Sequence, residues 1–187
     1  VVHANRSIGA DVGGTGIGGG AGFSSSGAWL RALLARHALL PLRAFLGITF
    51  LYAGVDKLTD PAFLAAGGAG SLGETLRQVH HTAALPLLVD LGQQSPVGFG
   101  YAIALGELAV GLGILIGLLG RLAAFGGALL SLSYWLTVSW ATTPYYYGSD
   151  LVYLMAWLPL LLAGTPRFSV DAAVANRRKR HGAKLFG

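Results

Sequence analysis

One acidic side chain in this sequence stands where its chemistry would matter most. Glu107 is the single charge in the apolar run Val97–Leu119, VGFGYAIALGELAVGLGILIGLL. Acidic and basic groups at the centre of a membrane helix cost about 2.5–3.5 kcal/mol on insertion scales, and they are retained where they face a bundle interior or a wet cavity. Gly100 and Gly111 share the helical face of Glu107 and Gly106 adjoins it, which leaves room for a second helix, a water or a ligand. Two roles are open to such a carboxyl. It can be one member of a structural ion pair, or it can carry a proton as a general acid–base group. Aromatic residues supply the second constellation. Trp135 and Trp157 sit several residues inside apolar runs, with Tyr153 near them in sequence register. Rings at the ends of spans are explained by an interfacial belt. Interior rings are equally open to a flat aromatic pocket, which suits a ring such as a quinone's, with a tyrosine hydroxyl or a carboxyl supplying hydrogen bonds.

Other candidate chemistry is weak. The sequence has no cysteine, which excludes disulfides, thiolate metal sites, cysteine-ligated iron–sulfur clusters and covalent haem attachment within it. Any cofactor is therefore bound non-covalently or belongs to a partner. None of the five histidines falls inside a spanning run, and no metal site is expected. His80 and His81 are adjacent, so on a helix they diverge by about 100° and chelate one ion poorly; they read as interfacial. VGGTGIGGG contains a formal GxGxxG at Gly14, Gly16 and Gly19, but the strand, helix and acidic residue that a dinucleotide site needs are missing. Residues 1–28 read instead as a flexible Gly/Ser-rich tail.

The elements that must position Glu107 follow from composition. Of 187 residues 53% are hydrophobic and 11% charged, against about 25% charged in soluble domains. A membrane domain over 29–166 is expected, with four spans at about 38–55, 97–119, 122–141 and 148–164. The run 97–119 would be about 34 Å long as a helix, enough for a hydrocarbon core of about 30 Å. Pro41 suits the first turn of the first span, and Asp60-Pro61 stops it. Between the first two spans, Ser71-Leu-Gly-Glu74 fits a capping box opening an amphipathic helix through about Val89, with Pro86 kinking or ending it and Asp90–Pro96 as a turn. Glycines at 106, 113, 117 and 120 allow close helix approach, which replaces the missing hydrophobic drive in lipid.

Charge orients these spans. Arg6, Arg31, Arg36, Arg121 and the tail fall on one side, while Lys57 and Arg77 lie among Asp56, Asp60, Glu74, Asp90 and Asp150 on the other. The positive-inside rule places both termini in the cytoplasm of a multi-pass inner-membrane protein. The fold class expected is all-α, an antiparallel four-transmembrane-helix bundle with an amphipathic helix in the first outer loop. The net charge of +5 sits at membrane flanks, so nucleic acid is not the expected partner. Within the basic tail 167–187, Arg177, Arg178, Lys179 and Arg180 are expected to contact anionic lipid or an acidic protein.

Depth gives candidate pairings. Arg43 lies about 8 Å and Glu107 about 18 Å from the inner face along their helices, a gap an extended arginine largely bridges; Thr49 and Tyr52 lie closer to the carboxyl in depth. Lys57 and Asp150 fall together at the outer surface, where a pair would latch the first span to the fourth. Arg43, Lys57 and Asp150 are thus the expected structural ion-pair residues.

From Pro41 onward the sequence resembles the DoxX/DoxD family of small four-helix membrane proteins. The resemblance rests on LRAFLGITFLYAGVDKLTDP, ALGELAVGLGILIGLLGRLAA, YYYGSDLVYLMAWLPLLLAG and SVDAAV, in that order, and covers most of 41–175. DoxD relatives form a subunit of thiosulfate:quinone oxidoreductase, so the resemblance implies delivery of electrons to membrane quinone with a partner subunit. The positions it carries over are Lys57, Glu107, Arg121 and Asp150, without a catalytic role for any of them. The expectation is a quinone-linked oxidoreductase subunit in which Glu107 relays a proton and Trp135, Tyr153 and Trp157 wall the ring. The alternative is a non-catalytic membrane anchor or assembly subunit of a larger complex. A solute transporter is disfavoured, since internal repeats and broken helices are missing apart from Pro159.

Overall fold

The structure, a computed structural model, describes residues 37–164. The glycine-rich stretch and the basic run Arg177–Arg180 lie outside the described residues. Among those described there are six α-helices, one 3-10 turn and no strand. The helices are α1 (Leu40–Thr59), α2 (Leu72–Val79), α3 (Pro86–Gln94), α4 (Pro96–Ile116), α5 (Gly120–Thr137) and α6 (Ser149–Ala163), and the 3-10 turn is Tyr145–Tyr147. Among these α4 is the one long and apolar enough to cross a membrane; α6 is apolar but shorter. α1 matches α4 closely in length but carries Arg43, Asp56 and Lys57.

Local chemistry sets the helix ends. Prolines open α1, α3 and α4, where a missing amide hydrogen costs little. α4 closes on Gly117 in the left-handed region (φ 68°), a conformation that glycine adopts without a Cβ penalty. Pro159 lies inside α6 without ending it.

α1 packs most extensively on α4, and α5 on α6. Both pairs are antiparallel: Arg43, early in α1, meets Ile114 and Leu115 late in α4, and Arg121, early in α5, meets Leu162 late in α6. The α1–α4 crossing is built on glycine. A Cβ on Gly54 would come within 2.8 Å of the Ala104 carbonyl oxygen, and one on Gly111 within 2.6 Å of the Leu51 amide nitrogen. Backbone thus touches backbone, a contact no larger residue permits. The α5–α6 contact uses one large insertion instead: the Trp157 ring lies on Gly127 so closely that any Cβ there would collide with it. Leu46, Phe50, Ile114, Trp157 and Leu160 form the core these pairs share.

The long helices are apolar on their outer faces as well. Phe45, Ile48 and Tyr52 on α1, Leu105 and Leu112 on α4, Leu122 and Phe125 on α5, and Met155 and Leu162 on α6 are all exposed. Such faces are what lipid-facing helices present, since hydrocarbon offers polar groups no partner.

The segment between α1 and α4 differs from the single helix expected over 71–89. Ser71 caps α2, its hydroxyl accepting from the Glu74 amide at 3.2 Å. The Glu74 carboxylate turns to Arg77 and Gln78, leaving the box half closed. α2 stops at Val79, seven residues before Pro86, and beyond it the Ala84 and Leu85 amides both donate to the Leu136 carbonyl of α5. Asp90–Gln94, expected as a turn, is the second half of α3. Leu72, Leu76 and Val89 form a small core of their own, which docks this helical pair onto α4 through Phe99 and Ile103.

Candidate functional site

Glu107 is buried near the middle of α4, and two side chains converge on it. Lys57, in the last turn of α1, places Nζ 3.0 Å from Oε1 and 2.9 Å from Oε2. The first contact is a hydrogen bond; the second lacks hydrogen-bond alignment and is electrostatic. The Tyr134 hydroxyl, on α5, donates to Oε1 at 2.7 Å. Three helices therefore meet on one carboxylate.

Helical geometry explains why Lys57 reaches it. Side chains on an α-helix lean toward its N-terminus. From the end of α1 that direction leads into the bundle, and the Lys57 stem passes over Ala53. The ammonium remains partly accessible, with 24% of its side chain exposed against 3% for Glu107. Phe63 and Tyr134 each place a ring centroid 6.0 Å from Nζ, at the outer limit of cation–π attraction.

The triad borders a cavity of about 370 Å³, within the range of small-molecule sites. Phe50, Phe63, Ile103 and Tyr153 supply apolar and aromatic wall, Thr49, Thr75 and Ser131 supply hydroxyls, and Asp150 lines it as well. Ser131 is 1% exposed, and its Oγ has no hydrogen-bond partner. It stands three residues before Tyr134, on the same face of α5. A buried hydroxyl left unsatisfied costs about 1–3 kcal/mol, so a ligand atom that accepts from or donates to it would recover that loss.

A protein-family model described as the TQO small subunit DoxD matches residues 38–186, well over half of the chain. The chain belongs to the DoxD family. No curated protein and no solved structure matches it significantly. The DoxD match spans the triad and every residue of the cavity.

Of the residues singled out in the sequence, this DoxD chain brings Glu107, Lys57, Tyr153 and Asp150 to one cavity. The pairings differ from those expected. Lys57 pairs with Glu107 and not with Asp150; Asp150 instead accepts a hydrogen bond from Ser139. Arg43 does not reach toward Glu107. Its Nε donates to the Ile114 carbonyl at 2.5 Å and its Nη2 to that of Leu115 at 2.6 Å. These carbonyls end α4, where the helix dipole favours a cation. Tyr52 faces outward at 70% exposure.

The aromatic wall also needs correction. Trp157 is fully buried behind Phe50, edge to face with it at 5.0 Å, so it supports the wall without lining the cavity. Trp135 pairs with Trp140 at 5.3 Å and lies outside the cavity lining. One residue on from Tyr134, it is turned about 100° away from the cavity face of α5. The rings that do line the cavity beside Tyr153 are Phe50, Phe63 and Tyr134. Tyr134 is the residue sequence reasoning missed. Its signal is its place three residues after Ser131, in a run that also carries Ser133 and Thr137.

A quinone ring fits this donor set. It is flat and apolar on its faces, and its two carbonyl oxygens accept hydrogen bonds. Aromatic walls, Tyr134 among them, with the Lys57 ammonium and the unsatisfied Ser131 hydroxyl at the margin match both properties. No group of metal-ligating side chains occurs among the described residues.

Proposed function

We propose that this chain is the membrane-embedded subunit of a quinone-linked oxidoreductase of the thiosulfate:quinone type, and that the cavity beside Glu107 receives the quinone ring. The observation that carries the proposal is the buried Lys57–Glu107–Tyr134 triad at the edge of an aromatic-walled cavity. α1, α4, α5 and α6 span the inner membrane as an antiparallel bundle, with both termini in the cytoplasm, as the outward apolar faces and the charge distribution favour. The lipid bilayer is one partner. A second protein subunit is the other, as the family's description as a small subunit implies.

Reduction of a quinone consumes two electrons and two protons. The partner supplies the electrons, and this chain supplies the pocket and the proton path. Phe50, Phe63 and Tyr153 hold the ring and exclude water from its faces. Ser131 orients a carbonyl oxygen through its free hydroxyl, while Tyr134, its proton given to Glu107, holds the carboxylate at the margin. Lys57 is the partly accessible end of the path and Glu107 the buried end, so protons enter at the ammonium and pass to the carboxyl edge of the cavity.

Co-purification of the tagged chain from its own membranes in mild detergent, with extraction of bound quinone, tests the reading. The expected result is a redox-active partner and quinone in the same complex, with thiosulfate-dependent quinone reduction lowered about 100-fold or more in Glu107→Gln. A complex without quinone, and full turnover in Glu107→Gln, would instead establish the chain as a membrane anchor.

A further inference from the structure

A second cavity, of about 270 Å³, lies on the other side of Tyr134 from the first, between the α2–α3 pair and the helices α4 and α5. Leu72, Ile103, Tyr134 and Val138 line both cavities, so the two adjoin. Their chemistry differs. The first holds a lysine, two carboxylates and an unsatisfied serine. The second is lined by Leu76, Leu88, Phe99, Ala102 and Leu130, and its two aliphatic hydroxyls are already occupied: Ser133 Oγ donates to the Leu129 carbonyl at 2.8 Å and Thr137 Oγ1 to the Ser133 carbonyl at 2.7 Å. Nothing aliphatic in this second wall offers a free donor, and the Tyr134 hydroxyl is committed to Glu107. A ligand carbonyl finds no free donor there; a hydrocarbon needs none.

We infer that the second cavity holds the first part of a hydrocarbon tail attached to the ring bound in the first, so that the α2–α3 pair acts as a tail clamp selecting an isoprenoid quinone. The inference rests on the quinone reading above and deepens it. Inside lipid a tail gains little from burial as such, because the bilayer is equally apolar. Selectivity then comes from shape: the tail must leave the head cavity past Leu72, Ile103 and Val138 and bend beneath α2. The same reasoning explains why α2 and α3 are tied to α5 by the Ala84 and Leu85 amides. Those bonds hold the clamp at a fixed height over Phe99 and Ala102.

The test uses the full chain in lipid nanodiscs and two water-soluble benzoquinones, one without a tail and one carrying two isoprene units. Affinity is measured by titration for the wild-type chain and for Ala102→Trp, which fills the second cavity from α4. Leu88→Trp, from the opposite wall, guards against a folding failure of the first variant. The expected result is that the wild-type chain binds both compounds, and that either substitution weakens the tailed one about tenfold or more, the scale of an overpacking clash, with tail-less binding held within about twofold. Equal effects of both substitutions on the two compounds, or no effect on either, would overturn the tail clamp while leaving the head site standing. Failure of the wild-type chain to bind the tail-less compound would overturn the head site, and the clamp with it.

Discussion

α1 carries a cation near each end, and both reach across to α4, yet they do opposite things there. Arg43 donates to the Ile114 and Leu115 carbonyls, groups that do not titrate and that α4 leaves over where it ends at Gly117. Lys57 meets a carboxylate that also accepts from a tyrosine hydroxyl, at the edge of a cavity. The planar guanidinium matches two adjacent carbonyls in a fixed fork, whereas the compact ammonium can share its protons and exchange them. The Arg43 end therefore fixes the register of the α1–α4 crossing, and the Lys57 end uses that register. Between them the Gly47, Gly54 and Gly111 contacts hold the two backbones together, so the distance from Lys57 to Glu107 is set by packing and not by the ion pair itself.

The sharpest way to break this comparison is to remove the lysine charge. Lys57→Met strands a buried carboxylate, and the expected loss of stability is about 3–5 kcal/mol, measured as thermal unfolding in nanodiscs. Adding Glu107→Leu to it should restore most of that loss, because a pair replaced whole by apolar groups is close to neutral. Recovery of the fold without recovery of quinone turnover would separate the structural share of the triad from its chemical share. A silent single substitution would mean that Glu107 is satisfied without Lys57, and the proton path would lose its entrance.

Substituting the other cation tests the opposite half of the comparison. Arg43→Lys keeps the charge and loses the fork, leaving one of two carbonyls unpaired. The expected cost is about 1–2 kcal/mol, with turnover per folded molecule unchanged. A fall in turnover larger than the fall in stability would show that the register at the Arg43 end controls the geometry at Glu107, and the two ends would no longer be separable.

What the sequence revealed of this arrangement follows the same division. Helix positions were legible because Pro41, Pro61, Pro96 and Gly117 punctuate long apolar runs, and Glu107 was legible because a lone charge in such a run has few explanations. Pairings were not. Depth along separate helices compares only backbone heights, and Lys57 reaches Glu107 by extending its stem along α1 into the bundle. Trp157 reads in sequence as a pocket wall, but Gly127, thirty residues earlier, accepts its ring and draws it into the core. Contacts of this kind join residues on helices that are distant in sequence, and periodicity within one helix carries no trace of them. The break at Val79 was hidden for the same reason, since the carbonyl that captures Ala84 and Leu85 belongs to α5.

An exposed ion pair sets the scale for the buried one. Glu74 and Arg77 lie one turn apart on α2 at 2.7 Å, with 37% and 54% of their side chains exposed. The Arg77 hydrogen bond, with help from Gln78, holds the Glu74 carboxyl below its ordinary range. A carboxyl whose folded value is depressed stabilises the fold above its unfolded value, about 4.3, and that contribution disappears as pH falls through the folded value. Glu74→Gln should therefore lower the thermal midpoint slightly at neutral pH, and the difference should vanish in acid. It should vanish at neutral pH as well when ionic strength is raised to ~1 M, where screening acts within about 3 Å. The loss caused by Lys57→Met should persist in the same salt, because only one face of that pair meets water. If both effects faded together, Glu107 would be exchanging with solvent through the cavity, and the buried end of the proton path would be wet.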